Sequence, residues 1–382
     1  MYDSIERRSI GRWRLFAVVT VAAVAVSFAY GGLHAAQSAQ APAAAKAPAA
    51  AKTPAAATAP TAPQAPAAAK AKQDGSIDGL TAKFVKVGGL NARYYDYGKG
   101  EPIVMLHGGS RSGANVFSRN ILGLAKHFRV LAMDRLGSGL TDNPTTVAEG
   151  GNEGQVAFVK AFIETLKLGP VHLVGHSGGG AIAFYVAMEH PELVKTLTVL
   201  AHGPGMPGYG DGPSKLQAWL DKCPPTNSFE EPSCRLAALG ESADTFPPEF
   251  WEAEKFMLSQ PKWKEQYEKQ QAARKQAGAA ADAPRNNTYR DKLWDKARAE
   301  GMKMPVLIYG GKQDKLDWEA SAPHAMLKGE LGFFDIVGTK SNRVKLIVVN
   351  QGGHFMYREH PEQFNNDLMS FVEFWKNNPN AK

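Results

Sequence analysis

The stretch VHLVGHSGGG, residues 171–180, decides the fold of this chain. Its opening residues are largely apolar, which predicts a buried strand, and the residues that follow it read as a helix. Between the two, residues 175–179 fit the pattern G-x-S-x-G. Small residues flank Ser177 because a sharp turn from strand to helix leaves no room for side chains. We therefore predict that Ser177 is a nucleophile presented on such a turn.

The chain on either side of this stretch alternates between strand-like and helix-like segments. Short β-branched runs separated by amphipathic segments are typical of a mainly parallel sheet covered by helices. An antiparallel hairpin, turning at Gly88-Gly89, is predicted at the start. The predicted strands are 84–87, 91–97, 103–106, 130–133, 171–174, 196–200, 306–309 and 344–349. The predicted helices are 115–127, 152–168, 179–190, 319–331 and 361–376.

The alternation stops in residues 203–303, which follow the sixth predicted strand and are rich in Pro, Gly, Trp and charge. Parallel sheets bind ligands beyond the carboxyl ends of their strands, where this insertion begins. We therefore predict that residues 203–303 form a cap, or lid, over the active site. Its aromatic residues are interpreted either as an apolar pocket lining or as a small core of the cap. They include Trp219, Phe229, Phe246, Phe250 and Trp251.

These patterns resemble the α/β-hydrolase superfamily from about residue 84 to the C-terminus, except in the insertion. The resemblance implies an α/β-hydrolase fold, with a mostly parallel central sheet flanked by helices and a helical cap inserted after the sixth strand. A serine needs a general base and an orienting carboxylate, and in this family the chain order is Ser, Asp, His. Asp314 and His354 each follow a predicted strand, in turns that resemble those of the family. Asp317 is the alternative acid.

The segment after strand 103–106 resembles the oxyanion loop of the family. It begins His107-Gly108-Gly109. The resemblance implies that the backbone N–H groups of Gly109 and Gly178 stabilise the tetrahedral intermediate. His107 is then expected to hold the loop and to take no part in catalysis.

A further turn resembles the family without adding a catalytic group. It contains Asp134 and Arg135, a pair that is expected to fix loops, with a substrate role as the alternative. Two histidines, His176 and His202, lie near the predicted nucleophile. They are interpreted as packing or tautomer-locked residues.

The serine at the turn narrows the predicted reaction. Haloalkane dehalogenases and epoxide hydrolases on this scaffold carry an aspartate where this chain has Ser177. We expect hydrolysis of a small-molecule carboxylic ester through an acyl-enzyme, with amide and lactone cleavage still open. The alternatives are a carbon–carbon bond hydrolase of ring-cleavage products and a non-catalytic binding protein with the same fold. The sequence shows no cluster at metal-ligand spacing, so neither a metal nor a cofactor is expected.

Composition and charge exclude other protein classes. The chain has 382 residues, 44% hydrophobic and 21% charged, close to the globular norm and unlike a disordered, collagen-like or multi-span membrane chain. The chain has 44 Lys and Arg residues and 37 Asp and Glu residues. Residues 1–73 contain 8 of the basic and 2 of the acidic residues, so the rest of the chain has 36 basic and 35 acidic residues. The net charge of +7 therefore lies mostly in the N-terminal part, and no nucleic-acid partner is expected.

The N-terminus has the pattern of an export signal, which we assign to residues 1–35. Arginines precede an apolar run that begins at Leu15, and small residues follow it. The signal is of the Sec or the twin-arginine type and predicts a periplasmic or secreted protein. An uncleaved anchor at residues 15–33 would instead tether the chain to the inner membrane. Residues 36–73, mostly Ala, Pro and Lys, are predicted to be a linker before a hydrolase domain over 74–382.

The two cysteines of the chain, Cys223 and Cys234, are predicted to form a disulfide within the insertion. A bridge over a loop of this length should stabilise the folded state by about 3 kcal/mol. We therefore expect that replacing both cysteines with serine lowers the melting temperature and changes KM more than kcat. Calorimetry and steady-state kinetics would measure both effects. Two free thiols in the unreduced exported protein, detected by mass spectrometry, would contradict the prediction.

Overall fold

The structure, a computed structural model, describes most of the predicted hydrolase domain. It covers residues 72–109, 111–201, 236, 239–240, 242–277, 288–314 and 325–381. No helix in these ranges is long and apolar enough to span a bilayer. Several predictions concern residues outside these ranges: the export signal, most of the linker, His202, the Cys223–Cys234 disulfide, Trp219, Phe229 and Asp317.

A sheet of eight strands forms the centre of the fold. Its order is β1-β2-β4-β3-β5-β6-β7-β8; β1 and β2 pair antiparallel, as do β2 and β4, and the other neighbours are parallel. This sheet and its flanking helices confirm the predicted fold class. The strands are β1 (Lys83–Val87), β2 (Leu90–Tyr97), β3 (Pro102–Leu106), β4 (Arg129–Met133), β5 (Val171–His176), β6 (Val194–Leu200), β7 (Val306–Gly311) and β8 (Val344–Val349).

The predicted hairpin joins β1 and β2. Gly88 and Gly89 have φ angles of 56° and 88°, a conformation that other residues adopt only with strain. Two such residues make the tight turn that suits the twist of paired strands. Further along the chain, all six residues of β5 are buried, because helices cover both faces of the sheet.

Helices flank the sheet, and two of the five predicted helices have clearly different bounds in the structure. They are α1 (Ser118–Leu124), α2 (Val147–Gly150), α3 (Asn152–Thr165), α4 (Gly178–Glu189), α5 (Pro248–Leu258), α6 (Pro261–Ala277), α7 (Thr288–Glu300), α8 (Ala325–Gly338), α9 (Met356–Glu359) and α10 (Pro361–Asn377). The predicted helix 115–127 is divided, because a 3-10 turn over Gly113–Phe117 precedes α1. The predicted end at residue 331 was wrong, since buried Phe333 and Val337 continue the apolar face of α8.

The last helix of the insertion, α7, packs into the core of the sheet. Trp294 is fully buried, and its ring stacks on Phe184 of α4 with the centroids 4.4 Å apart. It also contacts the ring of Phe333 of α8 edge-on, at 5.0 Å. This part of the insertion therefore belongs to the helical layer on one face of the sheet.

Two aromatic residues at the start of α5 and just before it are core residues. Phe246 and Phe250 are buried, and their rings lie 4.7 Å apart. Phe246 also contacts Phe355, the neighbour of the predicted catalytic histidine, at 4.8 Å. For these two residues the structure supports the packing interpretation, and the core that they join is that of the hydrolase domain.

We expect Trp294→Ala to lower the free energy of unfolding by about 3–5 kcal/mol, because it leaves a large cavity among three helices. Phe374→Ala is the matched control, since the side chain of Phe374 is half exposed. Its effect should stay below about 1 kcal/mol. Denaturant unfolding followed by circular dichroism would measure both. Equal losses in the two variants would contradict this account of the α7 packing.

Candidate active site

Ser177 lies at the sharp turn between β5 and α4. Its φ and ψ angles are 51° and −124°, a backbone conformation that residues other than glycine rarely adopt. The turn is held by a hydrogen bond of 2.8 Å from the Ser177 N–H to the Leu200 carbonyl at the end of β6. A strained serine between strand and helix is the geometry of a nucleophile elbow.

Two glycines allow the close approach that this turn requires. A Cβ atom on Gly175 would lie 2.4 Å from the carbonyl oxygen of Gly179. A Cβ atom on Gly179 would lie 2.3 Å from the carbonyl oxygen of Leu106, at the end of β3. Both distances are far inside van der Waals contact. The small residues of the motif are therefore required by backbone contacts on both sides of the serine.

The structure brings His354 and Asp314 together. Nδ1 of His354 lies 2.7 Å from Oδ2 of Asp314, and both side chains are buried. The carboxylate accepts the Nδ1 proton, which leaves Nε2 as the basic atom of the ring. Asp314 follows β7 and His354 follows β8, so the pair lies at the same sheet edge as Ser177. The contact agrees with the prediction of Asp314 as the acid, and the alternative, Asp317, lies outside the described residues.

His176 holds the histidine loop against the elbow. Its Nε2 donates to the backbone carbonyl of His354 at 2.9 Å, and the two rings lie 4.6 Å apart. The ring of His176 also contacts Phe355 and Tyr357, each at 4.9 Å. The interpretation of His176 as a packing residue therefore agrees with its surroundings.

The predicted oxyanion donors lie beside the nucleophile. A Cβ atom on Gly108 would be 2.8 Å from Cβ of Ser177, so the loop after β3 touches the elbow. Gly109 and Gly178 are both exposed. Gly178 is the first residue of α4, where N–H groups have no acceptor within the helix and the dipole favours negative charge. The arrangement suits stabilisation of a developing oxyanion.

His107 is buried and serves the oxyanion loop. Its Nε2 accepts a hydrogen bond of 2.9 Å from the backbone N–H of Arg135. The ring proton therefore lies on Nδ1, which donates to the carbonyl oxygen of Gly108 at 2.9 Å. Burial lowers the pKa of His107 well below its usual value, so the ring is neutral. These contacts match the expected structural role.

Asp134 connects the segment that follows the oxyanion loop to β2 and to the turn after β4. Its buried carboxylate pairs with Arg93, with Oδ1 and Nη1 at 3.1 Å. It also accepts from the backbone N–H groups of Ala114 at 2.7 Å and Leu140 at 3.0 Å. The carboxylate thus joins separate segments of the chain, as expected of a residue that fixes loops.

A cavity of about 240 Å³ opens beside the oxyanion loop. Its walls include Gly109, Arg111, Arg135, Trp263 and Gln266, the last two from α6. Two arginines therefore border the space next to the predicted oxyanion donors. Within the described ranges, no three His, Cys, Asp or Glu side chains form a group that could hold a metal ion.

Sequence reasoning missed two buried charged residues around the triad. Arg358 donates to the Thr245 carbonyl at 2.6 Å and to the Ser118 hydroxyl at 2.8 Å. Glu330 lies against β7, and burial raises the pKa of its carboxyl well above the usual value, with nearby Asp314 acting in the same direction. Arg358 follows the apolar residues Phe355, Met356 and Tyr357, but Glu359 and His360 come directly after it, so the sequence does not mark it as buried. Glu330 lies in a largely apolar helix, and that is a weak signal of its burial in the sequence.

The family model for the alpha/beta hydrolase fold matches residues 101–361 of the chain. Among solved structures, the chain resembles a meta-cleavage product hydrolase from Pseudomonas fluorescens IP01, with a TM-score of 0.59 and 20% identity. That alignment covers 77% of this chain and 98% of the other. At this identity the likeness concerns the fold alone.

Two curated relatives are more similar in sequence. One is the 2-hydroxy-6-oxo-6-(2'-aminophenyl)hexa-2,4-dienoic acid hydrolase of Metapseudomonas resinovorans, 37% identical over 121 residues. The other is the 2-hydroxy-6-oxo-2,4-heptadienoate hydrolase of Pseudomonas putida, 32% identical over 128 residues. The matches cover 31% and 33% of this chain. The chain spans less than half the length of these relatives, 41% and 46%.

We expect Asp314→Asn to lower kcat by about a thousand- to ten-thousandfold, with a much smaller change in KM. The amide does not hold the imidazole in the required tautomer or stabilise its charged form. Asp317→Asn is the control and should stay close to the wild type. Steady-state kinetics on one ester would compare them. A large loss in Asp317→Asn beside an active Asp314→Asn would show that the acid is misassigned.

Proposed function

Because the chain belongs to the alpha/beta hydrolase family, we propose that it is a serine hydrolase that cleaves a small-molecule carboxylic ester through an acyl-enzyme on Ser177. The observation that carries the proposal is the 2.7 Å contact between His354 and Asp314 at the sheet edge where the strained Ser177 lies. A serine on an elbow, an imidazole base and a buried acid are the parts that acyl transfer requires.

The proposed reaction has two halves. In the first, Oγ of Ser177 attacks the ester carbonyl while Nε2 of His354 takes its proton, and the Gly109 and Gly178 N–H groups bind the oxyanion. His354 then protonates the departing alcohol, and the acyl group remains on Ser177. In the second half a water molecule, deprotonated by His354, attacks the acyl-enzyme. The acid leaves and Ser177 regains its proton.

Carbon–carbon bond hydrolysis of ring-cleavage products is the second candidate. It is supported by the names of the two curated relatives, which are hydrolases of 2-hydroxy-6-oxo dienoic acids. The serine, histidine and aspartate are shared by both reactions. The reactions differ in the leaving group, which is an alcohol oxygen in the ester and a carbon atom in the dienoate. The site geometry supports the two about equally.

We place the ester first because residues 1–35 have the pattern of an export signal. Hydrolases of ring-cleavage products usually act in the cytoplasm, beside the enzymes that make their substrates. We propose that this chain acts in the periplasm or beyond, either released or tethered through residues 15–33. Its substrate would then be an ester met outside the cytoplasm.

We expect a fluorophosphonate probe to label the purified chain and Ser177→Ala to abolish the labelling. Hydrolysis should fall by at least about a thousandfold in that variant, because the nucleophile is gone. Ser259→Ala is the matched control, since Ser259 is exposed at the end of α5. Labelling of Ser177→Ala would contradict the proposal.

The same preparations should be given p-nitrophenyl esters of increasing chain length and a 2-hydroxy-6-oxo dienoate, whose absorbance falls when cleavage shortens its conjugated system. Faster turnover of the esters supports the first candidate. Faster turnover of the dienoate would replace it with the second. A labelled protein must cleave one of the two classes well above the Ser177→Ala background, or the catalytic proposal fails.

A further inference from the structure

The peptide bond between Gly108 and Gly109 has both of its polar groups at the active site. Its N–H belongs to Gly109 and is a predicted oxyanion donor. Its carbonyl oxygen accepts two hydrogen bonds of 2.9 Å, from Nδ1 of His107 and from Nη2 of Arg135. In a planar trans peptide the C=O and N–H point in opposite directions. Groups that fix the carbonyl therefore fix the direction of the Gly109 N–H.

Arg135 controls both of these hydrogen bonds. Its side chain makes one directly, through Nη2. Its backbone N–H makes the other possible, because it occupies Nε2 of His107 and so places the ring proton on Nδ1. The position of Arg135 is itself secured by its neighbour Asp134, which is paired with Arg93.

The charge of Arg135 lies beside both oxyanion donors. Nη2 is 3.8 Å from the point that a Cβ atom of Gly178 would occupy. In the part of the chain that the structure describes, no carboxylate pairs with Arg135, and its buried Nε has no hydrogen-bond partner. Burial lowers the pKa of Arg135 to about 10, so the group is still a cation at neutral pH.

A cation that donates to a carbonyl also strengthens the N–H at the other end of the amide. Hydrogen bonds to charged groups are stronger than neutral ones, and hydrogen bonds in a chain polarise one another in a low-dielectric site. Drawing electron density toward the Gly108 oxygen therefore makes the Gly109 N–H a better donor to an oxyanion.

We propose that Arg135 is a positioning residue of the oxyanion hole, which orients and polarises the Gly108–Gly109 peptide so that the Gly109 N–H meets the negative charge of the transition state. This role rests on the proposed serine hydrolase function. It differs from a substrate-binding role, in which the guanidinium would hold an anionic group of the substrate in the cavity that it lines.

The test compares Arg135→Met and Arg135→Lys in the full chain. Arg129→Met is the matched control, because Arg129 begins the same strand, β4, at the opposite end from the site and pairs with Asp96. The measurements are kcat and KM on a neutral ester and on an ester that carries a carboxylate. Two further readouts are the affinity for a boronic acid, which forms an anionic tetrahedral adduct with serine, and the rate of fluorophosphonate labelling.

We expect Arg135→Met to lower kcat on both esters by about ten- to a hundredfold, less than the loss of a whole oxyanion donor. KM should change by less than about threefold, because the interaction strengthens in the transition state. Boronate affinity and labelling rate should fall by factors similar to that in kcat. Arg135→Lys should recover part of each loss, since it keeps the charge without the planar fork. Arg129→Met should match the wild type in every readout.

Three results would overturn the proposal. In the first, only the anionic ester is affected, through KM, which would assign Arg135 to substrate binding. In the second, Arg135→Met and Arg129→Met behave alike. In the third, Arg135→Met loses activity while its boronate affinity and labelling rate stay at the wild-type level.

If Arg135→Met does not fold, Arg135→Gln replaces it. The proposal then requires Arg135→Gln to have a lower kcat and a lower boronate affinity than Arg135→Lys.

Failure of the underlying function gives a different result. If the wild-type chain neither cleaves an ester nor reacts with the fluorophosphonate, the proposed hydrolase is wrong, and the role of Arg135 falls with it. A wild-type chain that is labelled, but no faster than Arg135→Met, overturns the Arg135 role alone.

Discussion

The site depends most on the buried ion pair between Asp134 and Arg93. The Asp134 carboxylate lies at the end of β4, beside the turns that follow β3 and β4. A Cβ atom on Gly113 would be 2.1 Å, and one on Gly139 1.9 Å, from its oxygen atoms, so both turns wrap closely around the charge. Breaking a buried ion pair by removing one partner typically costs about 3–5 kcal/mol. One charged group thus holds the backbone that leads out of the oxyanion loop.

The parallel sheet brings the remaining parts of the site to one edge. Neighbouring parallel strands run in the same direction, so the segments after β3, β5, β7 and β8 all leave the sheet on the same side. These four segments carry the oxyanion loop, Ser177, Asp314 and His354. The hydrogen bond from Ser177 to Leu200 ties the elbow to β6 as well. The order of the strands therefore brings these segments together, and the contacts within and between the loops fix their conformations.

Local sequence patterns could predict those features of the fold and of the site that depend on residues close together in the chain. Strands buried on both faces read as continuous apolar runs, and the elbow needs its small residues close to the serine, so both are visible in the sequence. Contacts between distant segments leave no such pattern. Arg93 and Asp134 are 41 positions apart, and Arg358 and Ser118 are 240 apart. The buried state of Arg358 follows from packing that the sequence alone does not display.

Each of the helices α5, α6 and α7 of the insertion is attached to the domain. Phe250 and Trp294 are buried in the two cores of the domain. Lys262 at the start of α6 donates to the carbonyl oxygen of Gly139 at 3.1 Å, and burial lowers its pKa to about 8. Moving these helices together away from the sheet would break all of these contacts at once. Of these helices, α6 supplies Trp263 and Gln266 to the wall of the cavity that Arg135 also lines, so its attachment to the domain fixes part of that wall.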